Sequence, residues 1–445
     1  MRSLLTILTL TTVSAFAQSE TALHSAVQGN QEEKIAALLA SGANPNAANR
    51  YGITPLWLAA TNGSATATRL LLKAGADPRA TLPHGETALM TAARTGEPET
   101  IRVLLEAGSD PNARETSQGE TALMWAAAEN HPDAIRTLIK GGADPNAHAK
   151  ALDLAPMKWM QVGMVDTLLP RGGFTAVIYA ARQDAKDAVR ALAESGADLD
   201  AQDADGATAL QFAIINQHYD LAALLLDKGA NPNTPDNTGM TALYAAVEMN
   251  TFRSDIGRPP RPALDKLSAL DVLRLALKHG GDPNARLRKP TIGRHHGFSD
   301  ASLGEGATPL MRAIKSNDFD AMRVLIDAGA DPKLGMTNGS SPVLLLAAAR
   351  VAPALEASVV AALRSLVEHG ADLNAANARK DTALLTAARQ GSNAIVRALG
   401  ELGADLNAKD SAGKTALEIV MEPGRNQHED TAAILRELAA TRAKQ

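Results

Sequence analysis

The chain has no cysteine in 445 residues. That excludes structural disulfides, thiolate zinc sites, cysteine nucleophiles, covalent c-type haem attachment and a lipid-modified cysteine anchor. It also makes the chain indifferent to redox compartment. Aromatic residues are scarce at 3 %, although hydrophobic residues reach 45 %. The apolar content is mainly alanine and leucine, small and helix-favouring residues that let helices approach closely. There is no basic excess: 44 Lys+Arg against 49 Asp+Glu give a net charge of −5. The basic face that nucleic acid requires is missing, so no nucleic-acid partner is expected. Beyond the N-terminus no stretch reaches the ~18 unbroken apolar residues of a membrane-spanning helix. No H-E-x-x-H, G-x-S-x-G or P-loop pattern occurs, and no carboxylate pair asks for a catalytic role.

The first residues have the three parts of an export signal in order. Arg2 supplies the positive charge, Leu4 to Val13 an apolar stretch broken only by Ser and Thr, and Ala15-Phe16-Ala17 an A-x-A site. This predicts a signal peptide over 1–17, cleaved after Ala17. Its removal takes Arg2 with it and leaves a net charge of −6. The expected location is the periplasm or the exterior.

Length alone suggests about three domains. A repeat escapes that rule, because each unit packs only on its neighbours. A Thr-Ala/Pro-Leu element recurs at Thr21, Thr54, Thr87, Thr121, Thr175, Thr208, Thr241, Thr308, Thr382 and Thr415, with Ser341 in the same role. Seven of the ten steps between these anchors are 33 or 34 residues. A second element, Gly-Ala-Asp/Asn-x-Asn, falls 21 residues after most anchors, as at Gly42, Gly142 and Gly403. One unit can be read physically. Thr stands at an N-cap, and Pro55 or Pro309 follows at the first helical position. A short Ala-rich helix, a Gly or Asn turn and a second, Leu-bearing helix come next. A glycine such as Gly75 ends the second helix in the left-handed conformation. No unit buries its apolar face alone, so the units must stack.

Eleven such matches at one spacing resemble the ankyrin repeat over nearly the whole of 18–445. The resemblance implies an all-α repeat solenoid of about eleven ankyrin repeats, with β-turn finger loops. One departure stands out. The His of the family's T-P-L-H occurs only as His24; elsewhere the position holds Trp57, Met90, Met124, Ile178, Gln211, Tyr244, Met311, Leu344 and Leu385. Apolar packing is expected to replace the polar network of that His. Units Ser19 to Gly42 and Ser411 to Leu438 should act as caps.

The long steps locate insertions near 148–171, 250–268 and 286–305, with a short addition near 351–357. The first holds Met157, Trp159, Met160 and Met164. The second and third are basic, with Arg253, Arg258, Arg261, Arg286, Arg288, Lys289 and Arg294.

Two candidate sites follow. The fourth residue after each anchor, which in ankyrin folds faces the concave groove, reads Ser25, Leu58, Thr91, Trp125, Tyr179, Phe212, Ala245, Arg312, Leu345 and Thr386. Three of the chain's thirteen aromatics sit in consecutive units there, with Glu129, Arg182 and Asn216 one turn on. Rigid aromatics beside Arg make a binding hot spot. The alternative is that the 148–171 insertion folds over the row and Trp159 packs onto it. The second candidate is the basic loop patch Arg258, Arg261, Arg286, Arg288 and Arg294, which suits an acidic partner or phosphate, or else is simply solvated. His295 and His296, with Asp300, are a weak metal candidate. His279 and His369 precede helix-ending glycines, where a cation suits the helix dipole.

The expected function is a non-catalytic scaffold, monomeric and without cofactor, that binds a protein partner through its groove and finger loops. The alternative is a metal-dependent enzyme or small-ligand binder using 286–305 or the aromatic row.

Overall fold

A computed structural model describes residues 21–152, 172–251, 265–291, 303–349, 353–423 and 428–444. The 1–17 leader, Trp159 and its neighbouring methionines, Arg253, Arg258, Arg261, Arg294, His295 and His296 lie outside the described residues. Among the described residues every regular element is helical apart from two isolated β-bridges, Thr81 with Thr87 and Ala151 with Gly172. The fold is an all-α repeat. The described residues form two compact units. One holds 21–152, 172–213 and 227–230, and the other holds the remainder.

In the first unit each repeat is a pair of antiparallel helices. Ala22–Gln28 pairs with Glu32–Ala40, Pro55–Thr61 with Ala65–Lys73, and Ala88–Thr95 with Pro98–Glu106. Ala122–Ala128 then pairs with Pro132–Lys140, and Ala176–Arg182 with Lys186–Glu194. The first helix of each pair starts where the anchor hydroxyl accepts a backbone N–H three residues on. Thr54 accepts from Trp57 at 3.2 Å and Thr87 from Met90 at 3.2 Å. These helices are short and marginal alone, so packing must hold them. Alanines at their contact faces (Ala59, Ala60, Ala92, Ala93, Ala126 and Ala127) are fully buried. The second helices add the bulk with Ile35, Leu71, Ile101, Leu104, Ile135 and Leu138, also fully buried. The turn between the helices needs a left-handed residue. Gly63 and Gly96 supply it, but so do Asn30, Asn130 and Asp184, at φ of 48°, 59° and 56°.

An asparagine amide couples successive repeats. Asn46 donates to the Gly75 carbonyl at 2.8 Å and accepts from the Asp77 N–H at 2.8 Å. Asn112 does the same toward Gly142 and Asp144 at 2.9 and 2.8 Å. Where the sequence places Arg79 instead, its Nε donates to the Gly108 carbonyl at 3.0 Å. This gives the Asn of the second sequence element a physical role, since it satisfies a helix-end carbonyl and a loop N–H at once.

The second unit repeats the scheme. Its helix pairs are Ala242–Asn250 with Ala269–Lys278, Pro309–Lys315 with Phe319–Asp327, and Pro342–Ala347 with Glu356–Glu368. Ala383–Gln390 with Asn393–Glu401 and Ala416–Met421 with Glu429–Arg442 complete it. Of the 351–357 addition, Pro353–Leu355 form a 3-10 turn and Glu356 opens the second helix of its repeat, which runs 13 residues where most run 9. Asn233 and Asn284 clamp Gly280 with Asp282 and Gly329 with Asp331. Gly239 has a twofold reason to be glycine. Its φ is 88°, and a Cβ there would lie 2.7 Å from the Arg288 nitrogen of the next loop.

The departures from T-P-L-H resolve in two ways, except at Trp57, which is only partly buried. Met90, Met124, Ile178, Tyr244, Met311 and Leu385 are buried at 2 % exposure or less, as apolar replacement requires. Gln211 departs from that expectation. Its side chain is fully buried, and its Oε1 accepts the Thr208 N–H at 3.0 Å, so part of the polar network survives. His24 keeps it too: Nδ1 meets the Thr21 hydroxyl at 2.8 Å and Nε2 the Ile53 carbonyl at 2.9 Å. A glutamine amide reaches back to the cap as an imidazole does, whereas a branched aliphatic cannot.

Candidate interaction surface on the first unit

Each aromatic in the row is fixed by where its helix starts. Trp125 and Tyr179 stand four residues after their caps, Thr121 and Thr175, on helices that pack side by side. Both side chains are half-buried. Between them lies Glu120. Its Oε2 accepts the Trp125 indole N–H at 2.7 Å, and its Oε1 accepts the Tyr179 hydroxyl. One carboxylate therefore sets the orientation of two rings from adjacent repeats. Burial first, then the hydrogen bond and negative charge of Glu120, push the Tyr179 phenol well above its ordinary value of 10.0.

Glu120 is itself held by the loop before it. Its backbone N–H donates at 3.0 Å to Glu115, a buried carboxylate. Burial pushes the Glu115 carboxyl up. The Ser117 hydroxyl and the N–H groups of Glu120, Ser117 and Gln118 outweigh burial and hold it below the usual range. A carboxylate accepting several hydrogen bonds is both ionised and rigid.

Phe174 completes the cluster. Its ring meets Tyr179 edge-on, centroids 5.6 Å apart at 89°, and Phe212 likewise at 5.5 Å and 84°. Phe212 is therefore not an open anchor. It is 6 % exposed and supports Phe174, because the residue preceding the Thr175 cap projects across to the next repeat's row position. Two arginines flank the cluster. The Arg94 guanidinium carbon lies 5.4 Å from the Trp125 ring centre, and that of Arg182 lies 4.6 Å from Phe174. Glu129 caps the Trp125 helix and is exposed.

Of the residues read from sequence, the structure thus brings together Trp125, Tyr179, Phe212 and Arg182. It adds Glu120, Phe174 and Arg94. Glu120 and Phe174 share a register, each standing one residue before its anchor threonine. That register is visible in the sequence beside the fourth-residue row. Arg312 belongs to the second unit, where Glu248 lies 4.0 Å from its Nε. The base of the 148–171 insertion is pinned by the Ala151–Gly172 bridge and by the Gly173 N–H to the Lys150 carbonyl at 2.9 Å.

In the basic patch, Arg286 is not a free loop charge. Its Nε donates to the Gly306 carbonyl at 3.3 Å and its Nη2 to the Gly335 carbonyl. Arg114, at the same place in its own Asp-Pro-Asn-Ala-Arg, donates to Gly119 and His148 carbonyls in the first unit. This arginine ties successive loops together, and the matching Asp-Pro-Asn-Ala-Arg was the sequence signal for it. The Arg288 side chain is exposed. His279 and His369 are the C-cap residues of their helices. Among the described residues no group of three or more His, Asp or Glu could hold a metal ion, and no helix is long and apolar enough to cross a membrane.

Paired antiparallel helices, finger loops and a 33-residue step define an ankyrin-repeat protein, and comparison with known proteins agrees. The model "Ankyrin repeats (3 copies)" matches residues 3–82, 66–149, 157–236 and 177–256, more than half of the chain. "Ankyrin repeats (many copies)" matches 366–420 and "Ankyrin repeat" matches 305–334. The chain belongs to the ankyrin-repeat family. No curated protein matches it. Among solved structures it is similar to the ankyrin repeat domain of Bcl-3, described as a unique member of the IkappaB protein family. Identity there is 27 %, over 51 % of this chain and 94 % of that one, with a TM-score of 0.42. The human ASB11 ankyrin repeat domain is 23 % identical over 59 % of this chain and 100 % of that one, with a TM-score of 0.43. Ankyrin-repeat domains are in general protein–protein interaction modules, typically without catalysis.

Proposed function

We propose that this chain is an exported, non-catalytic scaffold that docks a protein partner on the inner-helix face of its first unit, with Trp125 and Tyr179 as anchors. The observation that carries this reading is the shared Glu120 carboxylate. Half-exposed aromatics with free rotamers would lose entropy on binding; these are already ordered. Preorganised aromatic anchors flanked by Arg are what an interface hot spot needs. The A-x-A site at Ala15 to Ala17 supports export, and the mass of the mature chain tests it: cleavage after Ala17 is expected.

The docking test uses Trp125→Ala/Tyr179→Ala. This pair should abolish co-purification of a specific partner from the native compartment while the far-ultraviolet helical signal stays unchanged. If the same proteins co-purify with wild type and variant, the aromatic surface is not the docking site. Phe212→Ala is unsuitable for this test, because it removes a buried support.

A further inference from the structure

The two arginines at the aromatic surface differ from a third in the same register. Arg94, Arg182 and Arg389 each stand seven residues after their anchors, Thr87, Thr175 and Thr382. In the second unit the Arg389 fork is filled by carboxylates: Nη1 lies 3.0 Å from Asp381 and Nη2 lies 3.3 Å from Asp410. Asp381 stands one residue before its anchor. In the first unit that same position holds Phe174, so Arg182 meets a ring where Arg389 meets an anion. Arg94 likewise lies over the Trp125 ring. Neither guanidinium has an ion pair or a side-chain hydrogen bond to any described residue, and both side chains are exposed. The Glu120 carboxylate that lies between them is already occupied by Trp125 and Tyr179.

A guanidinium stacked on a ring keeps its planar N–H edge for a carboxylate, and stacking lowers the entropy lost when it binds one. Building on the docking surface proposed above, we infer that its partner is an acidic segment in extended conformation, carrying two carboxylates that engage Arg94 and Arg182. The spacing follows from the repeat. The helices Ala88–Thr95 and Ala176–Arg182 are separated by one inner helix, Ala122–Ala128, which packs on both. Two steps of roughly 8–10 Å place the arginines roughly 16–20 Å apart. An extended chain rises about 3.3 Å per residue, so the two acidic residues should stand about five to six positions apart, with apolar residues between them over Trp125 and Tyr179.

The test uses a fluorescein-labelled peptide with two aspartates about six positions apart around leucines. A second peptide has both aspartates replaced by asparagine. Anisotropy is measured on wild type, Arg94→Ala, Arg182→Ala, Arg94→Ala/Arg182→Ala and Trp125→Ala/Tyr179→Ala. The acidic peptide should bind wild type at least about tenfold more tightly than its amide twin, and each single arginine variant should lose about three- to tenfold. The preference should vanish in the double arginine variant and shrink with added salt. The arginines are exposed, so these variants keep the fold, and a thermal melt verifies it. Three results overturn the inference: equal binding of the two peptides, a preference that survives the double arginine variant, or no binding up to about 1 mM. Equal binding that is still lost in Trp125→Ala/Tyr179→Ala would overturn the acidic partner while leaving the docking surface standing.

Discussion

Replacing Glu120 tests the cluster at its hinge. Glu120→Ala removes the acceptor of the Trp125 indole N–H at 2.7 Å and of the Tyr179 hydroxyl. Hydrogen bonds to a charged group contribute about 1.5–3 kcal/mol each. Glu120 is partly exposed, so the lower end applies, and water recovers part of the loss. The expected cost is about 2–3 kcal/mol for the pair. Glu120→Gln should cost only about 1 kcal/mol. Its carbonyl can accept from the indole while its amide donates to the phenol oxygen. Repeat arrays unfold in pieces, so a single midpoint is the wrong readout. Amide hydrogen exchange resolves the pieces. Protection in Ala122–Ala128 and Ala176–Arg182 should fall roughly 30- to 150-fold in the alanine variant, in line with that cost. Protection in Ala383–Gln390 should not change. If glutamine is as damaging as alanine, the effect lies in charge rather than in the two hydrogen bonds. If alanine leaves protection within about threefold of wild type, the carboxylate does not organise the rings.

Three further outcomes are expected. The folded-state phenol of Tyr179 is raised above 10.0, so its contribution is fully present below that pH and is lost as pH climbs past it. Stability measured by denaturant titration should therefore decline more steeply with alkalinity in wild type than in Tyr179→Phe, and identical slopes would contradict the assignment. Asn112→Ala deletes a two-bond clamp between repeats and should cost about 1–2 kcal/mol, read as a local loss of exchange protection at the Asp144 N–H, which Asn112 accepts. Arg286→Ala should loosen the loops carrying Gly306 and Gly335, whereas Arg288→Ala should leave thermal stability within about 0.5 kcal/mol of wild type; equal effects would mean that Arg286 is not a tie.

The repeat was legible in the sequence because its determinants are local. A threonine cap, a proline at the first helical turn and a glycine in the left-handed conformation each act within a few residues. Their 33-residue recurrence left one family to consider, and the helix pairs begin where the caps predicted. The aromatic row was legible in part, since the fourth-residue register is also local. What the sequence could not supply was the fate of each side chain, because that depends on the neighbouring repeat. Trp125 and Phe212 look alike in the register. Yet Trp125 is only half-buried, and Phe212 is buried because Phe174 reaches it from the preceding repeat. Arg286 looked like a loop charge until its two carbonyl acceptors, Gly306 and Gly335, came within reach. Arg182 and Arg389 share one register, but a ring faces the first and two carboxylates face the second. Local chemistry fixed the helices and their period. Packing between repeats decided which side chains remain open to a partner, because burial and ion pairing are properties of two repeats together.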